Sequence, residues 1–177
     1  MPLLMLKDVP RYECLLKAAE KHARLEPSAC NAFLHLLRTG DTVFAAESRF
    51  LAGHHITQGR FNVLMLLQRC TRQISSPAEL ANEAGVTRAT MTGLIDSLEK
   101  NGVVIREAEP GNRRTVRVRL TKQGKAFLKK MTPKYFRCVS KIIAPLNETE
   151  RSQFVRLLQK IQDGIKPQRP GKSGAKS

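Results

Sequence analysis

Between residues 76 and 120 the periodicity of the chain changes twice, from helix to helix across a single glycine and then to strand. Few architectures accommodate that order in so short a stretch. Ser76 is followed by Pro77 and then by Glu79. A serine that caps the third amide, a glutamate that returns the bond and a proline at the first helical position together open a helix. Gly85 closes it after Ala84. Thr87 caps a second helix running to Asn101, with Gly102 as its stop, and Met91, Leu94, Ile95 and Leu98 form its inward face. Its opening turn leaves Thr87, Arg88, Ala89, Thr90 and Thr92 outside. Residues 103–120 read as two strands around the Pro110-Gly111 bend. In the second, Val116, Val118 and Leu120 alternate with Thr115, Arg117 and Arg119.

Helical periodicity flanks this segment on both sides. Tyr12, Leu15, Leu16, Ala19 and Ala23 predict an amphipathic helix over 8–25. Pro10 is tolerated only in a first turn, so the start is expected near Asp8 or Val9. Ser28 is expected to cap a longer helix to about Ala52, with Cys30, Phe33, Leu34, Leu37, Phe44 and Leu51 on one stripe interrupted near Gly40 and Asp41. Gly53 supplies a left-handed stop. Thr57 caps the next helix, to about Arg69. Its Phe61, Val63, Leu64, Met65, Leu66 and Leu67 leave it apolar almost all round, hence central. After Thr121 a long helix carries Phe127, Leu128, Met131, Tyr135, Cys138, Val139, Ile142 and Ile143 on one face, with Pro133 expected to kink or break it. Asn147 with Glu150 caps a last helix bearing Phe154, Leu157, Leu158, Ile161 and Ile165. Residues 166–177 hold four basic residues and no acid, and read as a disordered basic tail, either a solvated terminus or a phosphate-binding arm.

Charge narrows the function. The 177 residues suffice for one domain with an extension and a core that needs no disulfide or metal. Lys and Arg number 31 against 15 Asp and Glu, a formal charge of +16. An excess that large points to nucleic acid, with a basic membrane-surface protein as the alternative. The longest strictly apolar run, Val63–Leu67, is far below the roughly 20 residues a bilayer crossing needs. Met1–Leu6 is too short for the apolar region of a secretory signal and has no basic residue ahead of Lys7. The cysteines at 14, 30, 70 and 138 form no C-x-x-C pair, which suits a reduced, cytosolic chain. Aromatic content of 5% with no Trp weakens single-strand stacking as a binding mode.

Helix, glycine turn, helix, strand, loop, strand is the order of a winged helix-turn-helix. The turn sets the second helix across the first and frees its N-terminal end for the DNA major groove. Ser76, Thr87, Arg88, Ala89, Thr90 and Thr92 are candidate contacts there. Arg88 can pair bidentately with guanine, and Ala89 or a threonine methyl can meet thymine. Double-stranded RNA is disfavoured because its deep, narrow major groove excludes a helix. From Val103 to Lys125 seven basic residues and two acids give a local charge of +5. Arg113 and Arg114 follow the bend, where an arginine can enter a narrow minor groove. Arg117 and Arg119 are either a solvated strand face or further contacts.

The stretches S-S-P-A-E-L-A-N-E-A-G-V-T-R-A-T-M-T-G-L-I-D-S-L-E-K-N-G-V-V-I-R and G-N-R-R-T-V-R-V-R-L-T-K-Q-G resemble the MarR family of bacterial and archaeal transcription regulators. With the flanking helices the resemblance covers about residues 28–165. It implies a mainly α fold with a small β-hairpin wing, and intertwined N- and C-terminal helices that make a homodimer. Each subunit then presents one winged helix-turn-helix to a pseudo-palindromic operator. The expected division is 1–56 for the N-terminal extension and dimerisation helices and 57–121 for the DNA-binding lobe. Residues 122–165 then form the C-terminal dimerisation helices, and 166–177 the tail. A cytoplasmic, nucleoid-associated regulator, most simply a repressor, is implied. Two departures stand out: Asn112 replaces the acidic residue usual before the wing arginines, and the helix over 8–25 is extra to the minimal family.

Three kinds of signal are conceivable. The family commonly senses aromatic or lipophilic anions, and His54, His55 and Arg60, near the junction of lobe and dimerisation helices, are the first polar candidates for such a site. A redox sensor would use Cys30. It lies about one turn farther from Thr57 than in the peroxide-sensing branch, and no tyrosine stands nearby in the helix, so a structural thiol is favoured. A metal is not expected, because the adjacent His54-His55 pair diverges and no carboxylate or cysteine falls at ligand spacing. No cofactor is expected. No Ser-His-Asp order, paired-carboxylate motif or glycine-rich phosphate loop suggests an enzyme. An effector-independent DNA-binding protein remains the other alternative.

Overall fold

A computed structural model describes residues 8–70, 73–109 and 112–165, and for 109 and 112–115 the backbone alone. The expected tail over 166–177 lies outside the described residues. In chain order the elements are α1 (Tyr12–Lys21), α2 (Pro27–Ala52), α3 (Gln58–Arg69), β1 (Ile74–Ser75) and α4 (Pro77–Ala84). They continue with α5 (Arg88–Lys100), β2 (Val104–Glu109), β3 (Asn112–Leu120), α6 (Lys122–Ile143) and α7 (Glu148–Ile165). The chain divides into two compact units, residues 1–138 and 139–177.

The first unit is organised around α3. Phe61, Val63, Leu64 and Leu67 are all buried, as the all-round apolar pattern requires. Against them pack Leu51 of α2, Leu80 of α4, Met91, Ile95 and Leu98 of α5, Val104, Val118 and Leu120 of the sheet, and Leu128 and Met131 of α6. Each such side chain withdrawn from water contributes roughly 1.5–3 kcal/mol before the entropy of ordering it. Leu94 is only half-buried, at the edge of that core. The sheet is antiparallel in the order β1-β3-β2. Val104 lies opposite Leu120 and Arg106 opposite Val118, with a bulge between Ala108 and Glu109. On β3, Val118 and Leu120 are buried, but Val116 is exposed because it stands farther out along the hairpin.

Several expectations are corrected. The first helix does not begin near Asp8 or reach residue 25. Pro10 precedes it, and extended Arg11 is its N-cap. The second starts at Pro27, whose missing N–H would be unsatisfied there anyway, so Ser28 is not its cap. It runs through Gly40 and Asp41 without interruption. Gly53 is right-handed at φ −62°, and His55 takes the left-handed conformation at φ 58° instead. Pro133 does not end α6, which forfeits one backbone hydrogen bond and continues. A third strand, β1, joins the expected two by pairing Ile74 with Arg119 and Ser75 with Val118. Gly124 lets α6 lie directly on the sheet connection, since a Cβ there would collide with the Val103 carbonyl oxygen.

The second unit contains the end of α6 and α7. Asn147 Oδ1 accepts the Glu150 N–H at 3.0 Å, and the Asn147 N–H donates to Glu150 Oε2 at 2.8 Å. This reciprocal cap starts α7 where the sequence signals it. No residue of α7 is buried. Phe154, Val155, Leu157, Ile161 and Ile165 are all exposed.

Candidate nucleic-acid interface

The helix-turn-helix is built as its sequence dictates. Ser76 Oγ accepts the Glu79 N–H at 3.2 Å, and Glu79 Oε2 accepts the Ser76 N–H at 2.8 Å. Gly85 turns the chain at φ 64°, a conformation that a Cβ disfavours, and Val86 N–H closes back on the Ala81 carbonyl at 3.1 Å. Thr87 Oγ1 then accepts the Thr90 N–H at 3.1 Å and opens α5.

These bonds decide what the end of α5 can offer. Thr87, Arg88, Ala89, Thr90 and Thr92 are all exposed there, while Met91 and Ile95 anchor the opposite face. The Thr87 and Thr90 hydroxyls lie 2.9 Å apart, and Thr92 Oγ1 donates to the Arg88 carbonyl at 2.9 Å. The threonine hydroxyls are thereby engaged within the helix end itself. Arg88 supplies the one charged, extensible group of this turn. Ser76 stands apart, half-buried at the start of α4 with its hydroxyl engaged in the cap.

The wing is tied to both helices. Arg106 of β2 reaches Asp96 and Glu99 of α5, each at 2.5 Å, and its N–H donates to Glu99 Oε1 at 2.8 Å. Arg117 of β3 meets Glu79 of α4 at 3.2 Å. Arg119 pairs with Glu107 across the hairpin. Arg117 and Arg119 are therefore bracing groups rather than a solvated face. Arg113 and Arg114 lie at the start of β3, and their side chains fall outside the described residues.

Glu79 is the centre of this bracing. Besides the Ser76 amide and Arg117 it accepts the buried Ser75 hydroxyl of β1 at 3.0 Å. The Ser76 amide chiefly, then the Ser75 and Ser76 hydroxyls, and Arg117 last, hold its carboxyl below the usual carboxylate range. Sequence reasoning identified Glu79 as a cap but missed its second role, and missed Asp96, Glu99 and Arg106 altogether. Two acids at i and i+3 on the helix before a strand arginine were the available signal.

His54, His55 and Arg60 come together. All three line a cavity of about 350 Å³ floored by Leu64, Leu98 and Phe127. A neighbouring cavity of about 650 Å³, bounded by Phe44, Ser48 and Gln58, shares His55 and Arg60. His54 Nδ1 lies 2.9 Å from the Phe50 carbonyl oxygen, and its ring packs on Phe50. Glu47 of α2 accepts the Tyr135 hydroxyl of α6 at 2.8 Å and the Gln58 amide at 2.5 Å. Burial, and then Glu47, push the Tyr135 phenol up to about 12, so it stays a donor. A third cavity, of about 660 Å³, holds Cys70 with Glu79, Glu83 and Arg117. Burial, and then Glu83, push the Cys70 thiol up, which opposes thiolate chemistry there. Cys30 is half-buried in the opening turns of α2. Among the described residues no three His, Cys, Asp or Glu side chains are grouped to hold a metal ion, and no helix is long and apolar enough to cross a membrane.

Comparison with known proteins agrees with this geometry. The family model described as MarR matches residues 56–116. The HTH-type transcriptional repressor YetL of Bacillus subtilis is 32% identical over 86% of this chain and 92% of its own length. A MarR family transcriptional regulator from Streptomyces coelicolor, crystallised in complex with DNA, superimposes with a TM-score of 0.69 at 22% identity, over 82% of this chain and 91% of that one. BpsR of Bordetella bronchiseptica, whose DNA binding is regulated by 6-hydroxynicotinic acid, superimposes at 0.64 with 28% identity, over 73% and 91%.

Proposed function

The chain belongs to the MarR family of transcription regulators, and on that premise we propose that it acts as a homodimeric, non-enzymatic repressor released from DNA by a small aromatic or lipophilic ligand. The observation that carries the DNA-reading part is the exposed opening turn of α5, where Arg88 projects beside Ala89 and three threonines from a capped, glycine-set turn. Thr87, Arg88, Ala89, Thr90 and Thr92 meet base edges in the major groove, and Ser76 lies at the flanking backbone. Arg113 and Arg114 reach the adjacent minor groove or its phosphates. Residues 57–121 form this lobe. The helices within 1–56 and 122–165 pair with those of a second copy, which suits the exposed Phe33 and Phe44 of α2 and the exposed apolar residues of α7. Two lobes spaced by about 34 Å then match successive major grooves of a pseudo-palindrome. Such a regulator works in the cytoplasm, on the nucleoid.

The ligand site is the pair of cavities around His54, His55 and Arg60. Neither lining contains Asp or Glu, Arg60 offers a cation, and the floor is apolar, which suits an aromatic acid. A ligand that prefers one spacing of the lobes shifts the dimer away from the DNA-bound spacing. Selection of preferred sites from random duplexes tests the reading: a two-fold symmetric site about one helical turn between half-site centres is expected. A purified protein that stays monomeric, or enriches no duplex at low salt, overturns it.

A further inference from the structure

Arg60 makes three hydrogen bonds within the first unit. Its backbone N–H and its Nε both donate to Thr57 Oγ1, the cap of α3, at 3.4 and 3.2 Å. Its Nη1 donates to Ser97 Oγ of α5 at 3.3 Å. Ser97 stands nine residues beyond Arg88, about 14 Å along the helix that carries the exposed turn. The guanidinium therefore links α3 to the rear half of α5 through a single neutral hydroxyl.

The same guanidinium lines both cavities, and it is the only lysine or arginine in either lining. A carboxylate is a stronger acceptor than a serine hydroxyl and can take a guanidinium by two parallel bonds. An organic anion entering this space thus competes with the Ser97 hydroxyl for the orientation of the guanidinium, whose five N–H donors sit in one rigid plane. Among the other polar side chains His55 also lines both cavities, but only Arg60 links them to α5. His54 is turned to the Phe50 carbonyl, and Asn101 and Gln123 carry no charge.

The geometry points to Ser97 as the positioning residue that couples the ligand cavity to the DNA-reading helix. An aromatic carboxylate that pairs with Arg60 takes it from Ser97, and α5 loses its side-chain tie to α3. The inference rests on the ligand-site reading above. It adds the route by which occupancy reaches the DNA. Linkage makes the two affinities move in opposite directions: whatever keeps Arg60 on Ser97 favours DNA and disfavours the anion.

The test uses full-length Ser97→Ala and Ser97→Thr. Alanine is well tolerated in a helix, and threonine keeps the hydroxyl. Three quantities are measured: affinity for a duplex selected by the native protein, affinity for 6-hydroxynicotinic acid and benzoate as probes, and the thermal midpoint. Ser97→Ala is expected to bind the duplex about three- to tenfold more weakly without any probe, as expected for one hydrogen bond. It is expected to bind the probes more tightly by a similar factor, and Ser97→Thr to restore both. General loosening of the fold would weaken both affinities and lower the midpoint, and that result overturns the inference. So does a Ser97→Ala protein whose duplex affinity equals the native one. Should neither probe bind the native protein, the aromatic-acid reading of the cavities fails. Duplex affinity still judges Ser97: weakening rescued by threonine supports its positioning role, and no change ends it.

Discussion

Individual side chains divide into those left exposed on the opening turn of α5 and those that hold the lobe together. Arg88 is exposed on the first turn of α5, and we propose that it meets bases there. Arg88→Ala is expected to relax sequence preference, lowering affinity for the selected site by about 1–3 kcal/mol while leaving random-duplex affinity nearly intact. Equal losses on both duplexes would make Arg88 a phosphate contact. Arg113→Ala should act differently, weakening all duplexes and reducing the salt slope by about one. An unchanged slope would remove the wing from the contact. The alternation of β3 correctly put Arg117 and Arg119 on one face and Val118 and Leu120 on the other. It could not tell that the polar face was occupied, because Glu79 and Arg117 are 38 positions apart. Pairing between side chains distant in sequence leaves no periodic trace. His54, His55 and Arg60 lie close in sequence and could be grouped from it, but the apolar floor of Leu64, Leu98 and Phe127 that makes the space a cavity comes from distant elements.

Elements that begin and end on local chemistry were legible to the residue. Thr57, Ser76, Thr87 and Asn147 cap where the spacing of polar and apolar residues places them, and Gly85 turns left-handed as required. Elements decided by their neighbours were not. The two residues of β1 are too few to show alternation and are strand only because β3 lies beside them. The end of α2 at Ala52 was legible, but not its geometry: Gly53 stays right-handed and His55 takes the positive backbone angle. At this scale Glu79 is the informative titration. Its carboxyl is held below the usual range in the folded chain, so its contribution is present above the unfolded value of about 4.3 and is lost as pH falls through the lowered value. Urea denaturation should therefore show native protein more stable than Glu79→Gln at pH 7, with the gap narrowing as pH falls below the unfolded value of about 4.3. A gap independent of pH would mean that the glutamate acts by shape alone. The cap itself belongs to a class of interaction that contributes about 1 kcal/mol.

For the whole molecule, the unpartnered apolar surfaces are the strongest argument for a second copy. Phe33 and Phe44 of the first unit are each 57% exposed, and in the second unit Leu157 and Ile161 are 56% and 46% exposed. So much apolar surface left in water would oppose solubility in a lone chain of this size. The pair Leu157→Glu and Ile161→Glu, tested together by sedimentation, should shift the protein to monomer and abolish cooperative binding to a two-half-site duplex. Persistence of the dimer would place the pairing surface elsewhere. The two braces of the wing have a consequence for how any signal is transmitted. The base of the hairpin is bolted to one helix through Arg106 and to the other through Arg117. The base of the finger and the reading head are therefore expected to advance or retreat in step, and release from the duplex to come by altering the stride between two feet rather than by opening one hand.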